Sequence, residues 1–522
     1  MNPTDPNEIL TIIKSLKPKK SCSNDNLSAI ILKSISESVS EPISIIINKS
    51  IKNGIVPDLM KTAKVIPIHK AKAKDNVSNY RPISILPTIS KILEKVIHRR
   101  LYSFLQNSNI LYANQYGFRH KHSTSHAITK LVSDIIHNMD NKKPTLSVFL
   151  DLSKAFDTIN HDILLSKLEF YGIRGLALSW FKSYLSNRKQ YVNYNGVQSK
   201  PLKMNCGVPQ GSVLGPLLFI IYTNDLPDCI NHATTILFAD DTTIYESSTD
   251  LNYLYSSMKN NLSHLTDWFR GNKLSLNVSK TNYMYMVFSN STKNPSELQL
   301  QINDQLIEKT GCTKFLGIHI DDKLKWDTHI SKIKSRLSSS LYAINKIKHF
   351  APINILTTLY YSMVYPYLSY GITQWGATFK AHINKLNIMQ KKIIRAIAGA
   401  KYNAHTNGIY HKLGILKLED IYKLNVGKYI LSYMKDELPS PILNMYILAK
   451  NDATYQTRQN AKFKIKPQSR RTVLASQSIK HIGPQIWNAI PNNIYTYNNN
   501  ETLITSSGFA SRYKRVLLGG YG

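Results

Sequence analysis

The amino-acid sequence predicts an α+β protein, and three stretches carry that prediction. Residues 233–245 are two β-prone runs, rich in Thr, Ile, Leu, Phe and Tyr, that meet at the adjacent acids Asp240 and Asp241, the pattern of a hairpin with both carboxylates at its tip. Residues 146–150 form a second continuous β-type run, and it too ends in an acid, Asp151. From residue 328 onward Ile330, Ile333, Leu337, Leu341 and Ile344 step by three and four, one face of an amphipathic helix. Lys332, Lys334, Arg336, Lys346 and Lys348 cover the rest of that helix.

The remaining elements follow in chain order. Residues 1–60 read as short helices, broken at Pro18, Pro42 and Pro57. Residues 64–70 read as a strand with basic ends, Lys70 among them. After a polar loop, Tyr80-Arg81-Pro82-Ile83-Ser84 leads into a helix over 88–105. Residues 115–124 join aromatics to Arg119, His120, Lys121 and His122, which suits phosphate binding or a solvated basic loop, and Ser123 or Thr124 is placed to cap the next helix. Asp157 lies near the start of a helix expected at about Asn160 and is read as serving that helix's N-terminal dipole. Strands over 191–193 and 197–204 flank an Asn195-Gly196 turn. In Gly207-Val208-Pro209-Gln210-Gly211-Ser212 the glycines permit close backbone approach to a ligand, with Gln210 where the loop meets a substrate, before a buried helix to residue 222. Beyond the acid pair come a helix over 251–269, the segment Asn277-Val278-Ser279-Lys280-Thr281, a strand over 283–288, one more strand over 314–320, and helices over 328–348, 355–364 and 383–397. Composition then shifts to Tyr, Asn and Lys, which reads as a separate module, with Asn498-Asn499-Asn500 marking a flexible loop.

Composition narrows the function classes. With 522 residues and 43% hydrophobic content the chain has material for several structural units, so it is not a disordered tail. Sixty-six Lys and Arg against 33 Asp and Glu leave a formal charge of +33, which costs self-repulsion unless a polyanion offsets it; nucleic acid is the first candidate. No apolar run approaches membrane-spanning length, and the start of the chain mixes acids and prolines with short apolar pieces, unlike a signal peptide. The four cysteines include no Cys-x-x-Cys pair, and Cys229 with His232 lacks a second ligand pair at zinc spacing, so reduced thiols and no zinc knuckle are expected.

The chemistry rests on the acids. Adjacent carboxylates on a half-buried strand end repel each other and resist desolvation unless a cation neutralises them, whereas an Asp-Asp turn facing water needs no such partner. Asp151 is the third carboxylate that favours the metal reading, because a magnesium site takes a few carboxylates and fills its other positions with water and substrate phosphates. Three acids at two strand tips, a glycine loop, basic loops and a large positive charge suit a two-metal phosphoryl transfer on nucleic acid.

These residues resemble the reverse transcriptases of non-LTR, LINE-type retrotransposons, most closely those of the jockey and CR1-like kind. Residues 149–157, reading FLDLSKAFD, look like the family's first palm motif, and residues 207–219, reading GVPQGSVLGPLLF, like its second. Phe238-Ala239-Asp240-Asp241 matches the third, residues 277–281 resemble the fourth, and Phe315-Leu316-Gly317 the primer grip. Residues 80–84 and 115–124 resemble fingers motifs, while residues 20–25 depart from the glycine-containing pattern usual there. Each motif alone is weak; their order over about 250 residues is specific.

The resemblance implies a right-hand polymerase fold: a helical N-terminal extension (1–60), fingers (61–145), an antiparallel-sheet palm (146–321), a helical thumb (322–400) and a C-terminal basic module of unknown role (401–522). It implies that Asp151, Asp240 and Asp241 hold two Mg2+ ions, with Mn2+ as an alternative, and that Lys70, Arg81 and Arg119 meet the incoming triphosphate. Gln210 and Gly211 line the nucleotide site, and Lys280 protonates or neutralises the departing pyrophosphate. Phe156 packs beneath the incoming sugar, its apolar face favouring DNA over RNA synthesis. The implied activity is RNA-directed DNA synthesis with an RNA template, a DNA primer or nicked target DNA, and dNTPs, in the nucleus or a cytoplasmic ribonucleoprotein. An endonuclease domain, usual ahead of the polymerase in the family, is expected to be absent from this chain, with another chain as one source of it. Two rival readings remain: an RNA-dependent RNA polymerase, against which Phe156 argues, and a catalytically silent retrotransposon remnant that binds RNA.

Overall fold

The computed structural model describes residues 1–23, 25–70, 73–287, 299–446, 463–497 and 502–521. It is mixed helix and sheet, 52% and 14%. At its centre lies a five-stranded sheet in the order Glu308–Lys309, Asn282–Met286, Thr145–Leu150, Asp241–Ser247, Thr234–Phe238. Its last four strands pair antiparallel, and Glu308–Lys309 joins the edge in parallel.

The strand Thr145–Leu150 is buried along its whole length because helices cover both faces of the sheet. Leu146, Val148 and Leu150 share one core with Leu254, Met258, Leu262 and Leu265 of the helix Leu251–Gly271. Phe149, on the alternate face, joins Ile128, Leu131 and Ile135 of the helix Thr124–Asp140. The two-residue period of a strand thus assigns its side chains to two separate cores.

A second sheet runs Tyr80–Ile85, Thr62–His69, Lys189–Tyr194, Val197–Gln198, with Leu202–Lys203 also on Lys189–Tyr194. Pro82 lies on its edge strand, where a missing N–H costs no ladder bond. The second strand expected over 197–204 is therefore two short pieces. The single strand expected over 314–320 is a hairpin, Cys312–Phe315 against Ile318–Asp321, because Leu316 and Gly317 both take positive φ (45° and 92°) and turn the chain back. Pro42 does not end a helix: it lies inside Ser36–Asn53, whose Ile43, Ile47 and Ile51 are buried on one face around it. Tertiary burial there outweighs the lost hydrogen bond.

The helices Asp327–Ile347, Ile353–Met363 and Lys380–Ala398 lie where helical periodicity puts them. Their buried Ile330, Leu356 and Ile393 belong to the same core as Tyr410, Ile430, Trp487 and Phe509, so among the described residues no break in packing falls at residue 400. The expected strand end at Phe288 and the loop at 498–500 lie outside the described residues. Among the described residues no helix is long and apolar enough to cross a membrane.

Candidate active site

Asp240 sits in a two-residue hairpin turn between Thr234–Phe238 and Asp241–Ser247, where Phe238 pairs with Asp241 and Ala239 takes φ 56°. The neighbouring strand ends at Leu150 opposite Thr242, which delivers Asp151 to the same edge. Strand pairing alone therefore brings together acids almost ninety positions apart in the chain.

Segment 114–117 holds the hairpin from outside. Tyr116 N donates to Leu237 O (2.8 Å) and Leu237 N to Asn114 O (3.0 Å). Gln115, buried, accepts at Oε1 from Gly117 N (2.8 Å) and Ala239 N (3.4 Å). A Cβ on Gly117 would lie 2.3 Å from Ala239 N, so only glycine fits. Sequence reasoning read this loop for its cations and missed Gln115 and Gly117.

Asp151 is braced from the other side: Asn277 N donates to its carbonyl (2.8 Å), its own N–H to Thr281 Oγ1 (3.4 Å), and Lys280 Nζ lies 3.4 Å from Oδ2. Asp151 and Asp240 line one cavity of about 1360 Å³ with Lys70, Arg81, Phe156, Asp157, Gln210 and Lys280.

The carboxylates disfavour one another's charge. Surrounding protein raises the pKa of Asp240, and Asp151 raises it further, while Arg81 opposes the shift. Asp241 is pushed up to about 6, first by desolvation and then by Asp240 and Asp151. Both residues still reach solvent, and of the two Asp240 lines the cavity. Such a donor set suits a divalent cation, which would relieve the repulsion. As the side chains stand, however, among the described residues no three His, Cys, Asp or Glu groups are gathered closely enough to hold a metal ion, and Lys280 supplies Asp151's counter-charge.

The loop 207–212 is latched to its surroundings. Gly207 N donates to Ile159 O (2.7 Å), Val208 N to Phe156 O (2.9 Å) and Ser84 N to Gln210 O (2.8 Å). Added Cβ atoms would lie 2.6 Å from Asp157 O at Gly207 and 2.4 Å from Ser84 O at Gly211. The close approach expected toward a ligand is thus an approach to the protein's own backbone. Gly211 does not line the cavity; its φ of 129° and tight seat let Gln210 do so.

Asp157 corrects another expectation. Asn160 caps the helix His161–Phe170, and both oxygens of Asp157 instead accept from Gln210 Nε2 (2.9 and 3.0 Å). That bond orients the amide, leaving Gln210 Oε1 as the acceptor available to the cavity.

Phe156 is half-buried, stacked on Phe219 at 4.7 Å and edge-on to Phe118 at 6.2 Å, and it also lines the cavity. Arg119 is not brought to the acids. Its guanidinium donates to Tyr112 O (2.7 Å), Gln115 O (3.5 Å) and Gln106 Oε1 (3.4 Å), and it lines a separate cavity of about 730 Å³. Two backbone carbonyls and the Gln106 amide thus take the Nη donors expected to meet a triphosphate, while the buried Nε has no partner among the described residues.

Beneath the loop, fully buried Glu94 accepts from Val213 N, Leu214 N (3.4 Å) and Tyr184 OH (3.0 Å), at the start of the helix Gly215–Tyr222. Burial raises its pKa, opposed by Arg188 and these bonds. A lone acid in the apolar stripe of Ile92, Leu93, Val96 and Ile97 was the signal that could have found it.

Residues 68–320 match the family described as reverse transcriptase (RNA-dependent DNA polymerase). The chain is 30% identical over 81% of its length to the probable RNA-directed DNA polymerase from transposon BS of Drosophila melanogaster, covering 48% of that protein. It is likewise 30% identical over 81% of its length to the RNA-directed DNA polymerase from mobile element jockey of the same species, covering 47% of it. Residues 68–320 thus match a reverse transcriptase domain, and the chain is similar over most of its length to transposon-encoded RNA-directed DNA polymerases. That domain takes in the acid pair, Asp151, the latched loop and the 312–321 hairpin. The chain spans about half the length of the curated relatives it matches.

Proposed function

We propose that this chain is an RNA-directed DNA polymerase that extends a primer 3′-hydroxyl with dNTPs on an RNA template. The observation that carries the reading is the meeting of Asp151 and Asp240 with Lys70, Arg81, Lys280 and Gln210 around one cavity, within a reverse transcriptase domain. In the right-hand reading, residues 61–145 are fingers, 146–321 palm and 322–400 thumb, and the cavity lies between fingers and palm.

Asp151 and Asp240, with Asp241 beside them, are the residues to hold two Mg2+ ions, which when bound would activate the 3′-hydroxyl and offset charge on the triphosphate. Arg81 and Lys70 supply fixed positive charge to the phosphates, Arg81 in the two-pronged geometry a phosphate favours. Lys280, close enough to Asp151 to exchange partners, neutralises the leaving pyrophosphate. Gln210, its amide oriented by Asp157, offers an acceptor to the nucleotide. Phe156 presents an apolar ring to the sugar. The nucleic-acid partners are an RNA template and a DNA primer or nicked target DNA.

The Lys280–Asp151 pair, which commits that acid to a lysine, favours a second reading, an RNA-binding remnant without activity. Primer extension on poly(rA) with oligo(dT) decides between them. Asp240→Ala should lower the rate by about 10³-fold or more while leaving the melting temperature unchanged or raised, because it removes a metal ligand and a like-charge repulsion together. Equal rates for wild type and variant would sink the assignment.

A further inference from the structure

We propose that the cavity between the far end of the helix Thr124–Asp140 and residues 466–481 is a second nucleic-acid site, holding a phosphodiester backbone away from the catalytic cavity. The cavity, about 680 Å³, is lined by Lys466, Arg470, Arg471 and Lys480 together with Ser133 and Asp140.

Asp140 is the one acid among the lining residues, against four cations, and its oxygens are already engaged. The carboxylate accepts from Arg471 N (3.2 and 3.3 Å), Thr472 N (2.8 Å) and Thr472 Oγ1 (2.8 Å), which fixes the basic segment against the helix without pairing with its side-chain cations. Among the described residues the side-chain cations of Arg470, Arg471 and Lys480 have no ion-pair or hydrogen-bond partner. The buried Ser133 hydroxyl also lacks a partner. His481 is tied to Gln468 O (3.2 Å) and Gln485 (2.9 Å), so the positive charge here does not depend on its protonation.

Gathering unpaired cations on one wall of a chain that already carries +33 is costly unless an anion offsets it. A cavity this large, lined by cations from successive positions, fits a run of phosphates better than a single small anion. The start of the helix Ile479–Ala489 lies on the same wall, with no side chain capping it. Ser133 and Asp140, which line it, lie about 14 and 24 Å along the helix Thr124–Asp140 from the end next to the loop braced on the catalytic hairpin, at about 1.5 Å per residue.

The test is equilibrium binding of a single-stranded RNA and a DNA of the same sequence, about 30 nucleotides each, followed across salt. The triple variant Arg470→Ala, Arg471→Ala, Lys480→Ala is compared with wild type. A control, Lys17→Ala, Lys49→Ala, Lys52→Ala, removes the same charge from exposed positions on the N-terminal segment. The triple variant should bind about tenfold or more weakly at low salt, with a slope of log K against log salt shallower by about two units, while the control changes both far less. Loss on RNA and DNA alike assigns the site to the backbone they share; loss on RNA alone assigns it to RNA. If the triple variant and the control fall together, the cavity is no site and only bulk charge binds. The readout needs no polymerase activity, so its failure and that of the catalytic reading are told apart.

Discussion

Phe156 serves two neighbours at once: one face stacks on Phe219 in the core, and the ring also borders the cavity where the sugar of an incoming nucleotide would lie. A 2′-hydroxyl pressed against that ring loses its water without a replacement bond, at about 2–4 kcal/mol. Phe156→Val should therefore raise insertion of UTP relative to dTTP on an rA template by one to two orders of magnitude. It should also cost about 1–3 kcal/mol of stability through the space left beside Phe219. Single-nucleotide kinetics read the first effect and urea unfolding the second. An unchanged nucleotide ratio with lowered stability would make Phe156 a core residue only. Asp157 teaches the complementary lesson. Its position six residues after Asp151 suggests a helix-end role, and nothing local points to Gln210, fifty-three positions on. The partner of a half-buried carboxylate is set by whichever donor the fold brings to it, so a role that looks local in sequence proves to be long-range.

The hairpin carrying Asp240 depends on a segment with no chemistry of its own. Gly117→Ala would place a methyl 2.3 Å from Ala239 N, against backbone that cannot swing aside, so hairpin or segment must shift. The expected cost is about 2–4 kcal/mol of stability, with a loss of primer extension larger than unfolding explains, because Asp240 moves with the turn. Measuring extension well below the variant's melting temperature separates the two effects, and full activity there would show that the brace does not set the turn. A second element is fastened by charge. Glu8, on the helix Pro6–Ser15, accepts from Arg100 Nη2 (2.7 Å) and Nη1 (3.0 Å), which docks that helix on Thr88–Asn107. Arg100 foremost, with Thr4 and Arg99, holds the Glu8 pKa down at about 2 against the opposing effect of burial. A folded-state pKa below the unfolded value means stability that is complete above about pH 4.5 and is lost as pH falls toward 2. Wild type should lose up to about 3 kcal/mol more than Glu8→Gln across that window. Parallel urea midpoints for the two proteins from pH 5 to pH 2.5 would remove Glu8 from the acid response.

For the whole molecule, the +33 charge predicts that binding to a primer–template weakens steeply with salt, log K falling by several units per decade of salt concentration, since each neutralised phosphate releases a counterion. A nearly flat slope would show that the charge serves another partner. The same scale reveals, among the described residues, one apolar core running from the helix Thr124–Asp140 through residues 327–398 to Tyr410, Ile430, Trp487 and Phe509. The change of composition near residue 400 suggested a separate module, because surface residues dominate composition, whereas the buried Tyr410, Ile430 and Trp487 that tie the region to the rest are sparse in the sequence.

The sequence alone determined the elements whose signal is local. The 328–348 helix was legible from its 3.6-residue period, the 234–247 hairpin from β-prone runs meeting at two acids, and the reverse transcriptase motifs from their order. Only tertiary structure decided what those elements meet. It set Asp151 beside Asp240, turned the 314–320 run into a hairpin and kept Pro42 inside a helix. It also gave Asp157 to Gln210, spent Arg119 on carbonyls and seated Gly211 on Ser84. The physical reason is that period and propensity report backbone preferences over a few residues. A buried donor or acceptor, by contrast, must be satisfied by whatever distant group the packed chain delivers, and one sequence read locally does not say which group that is.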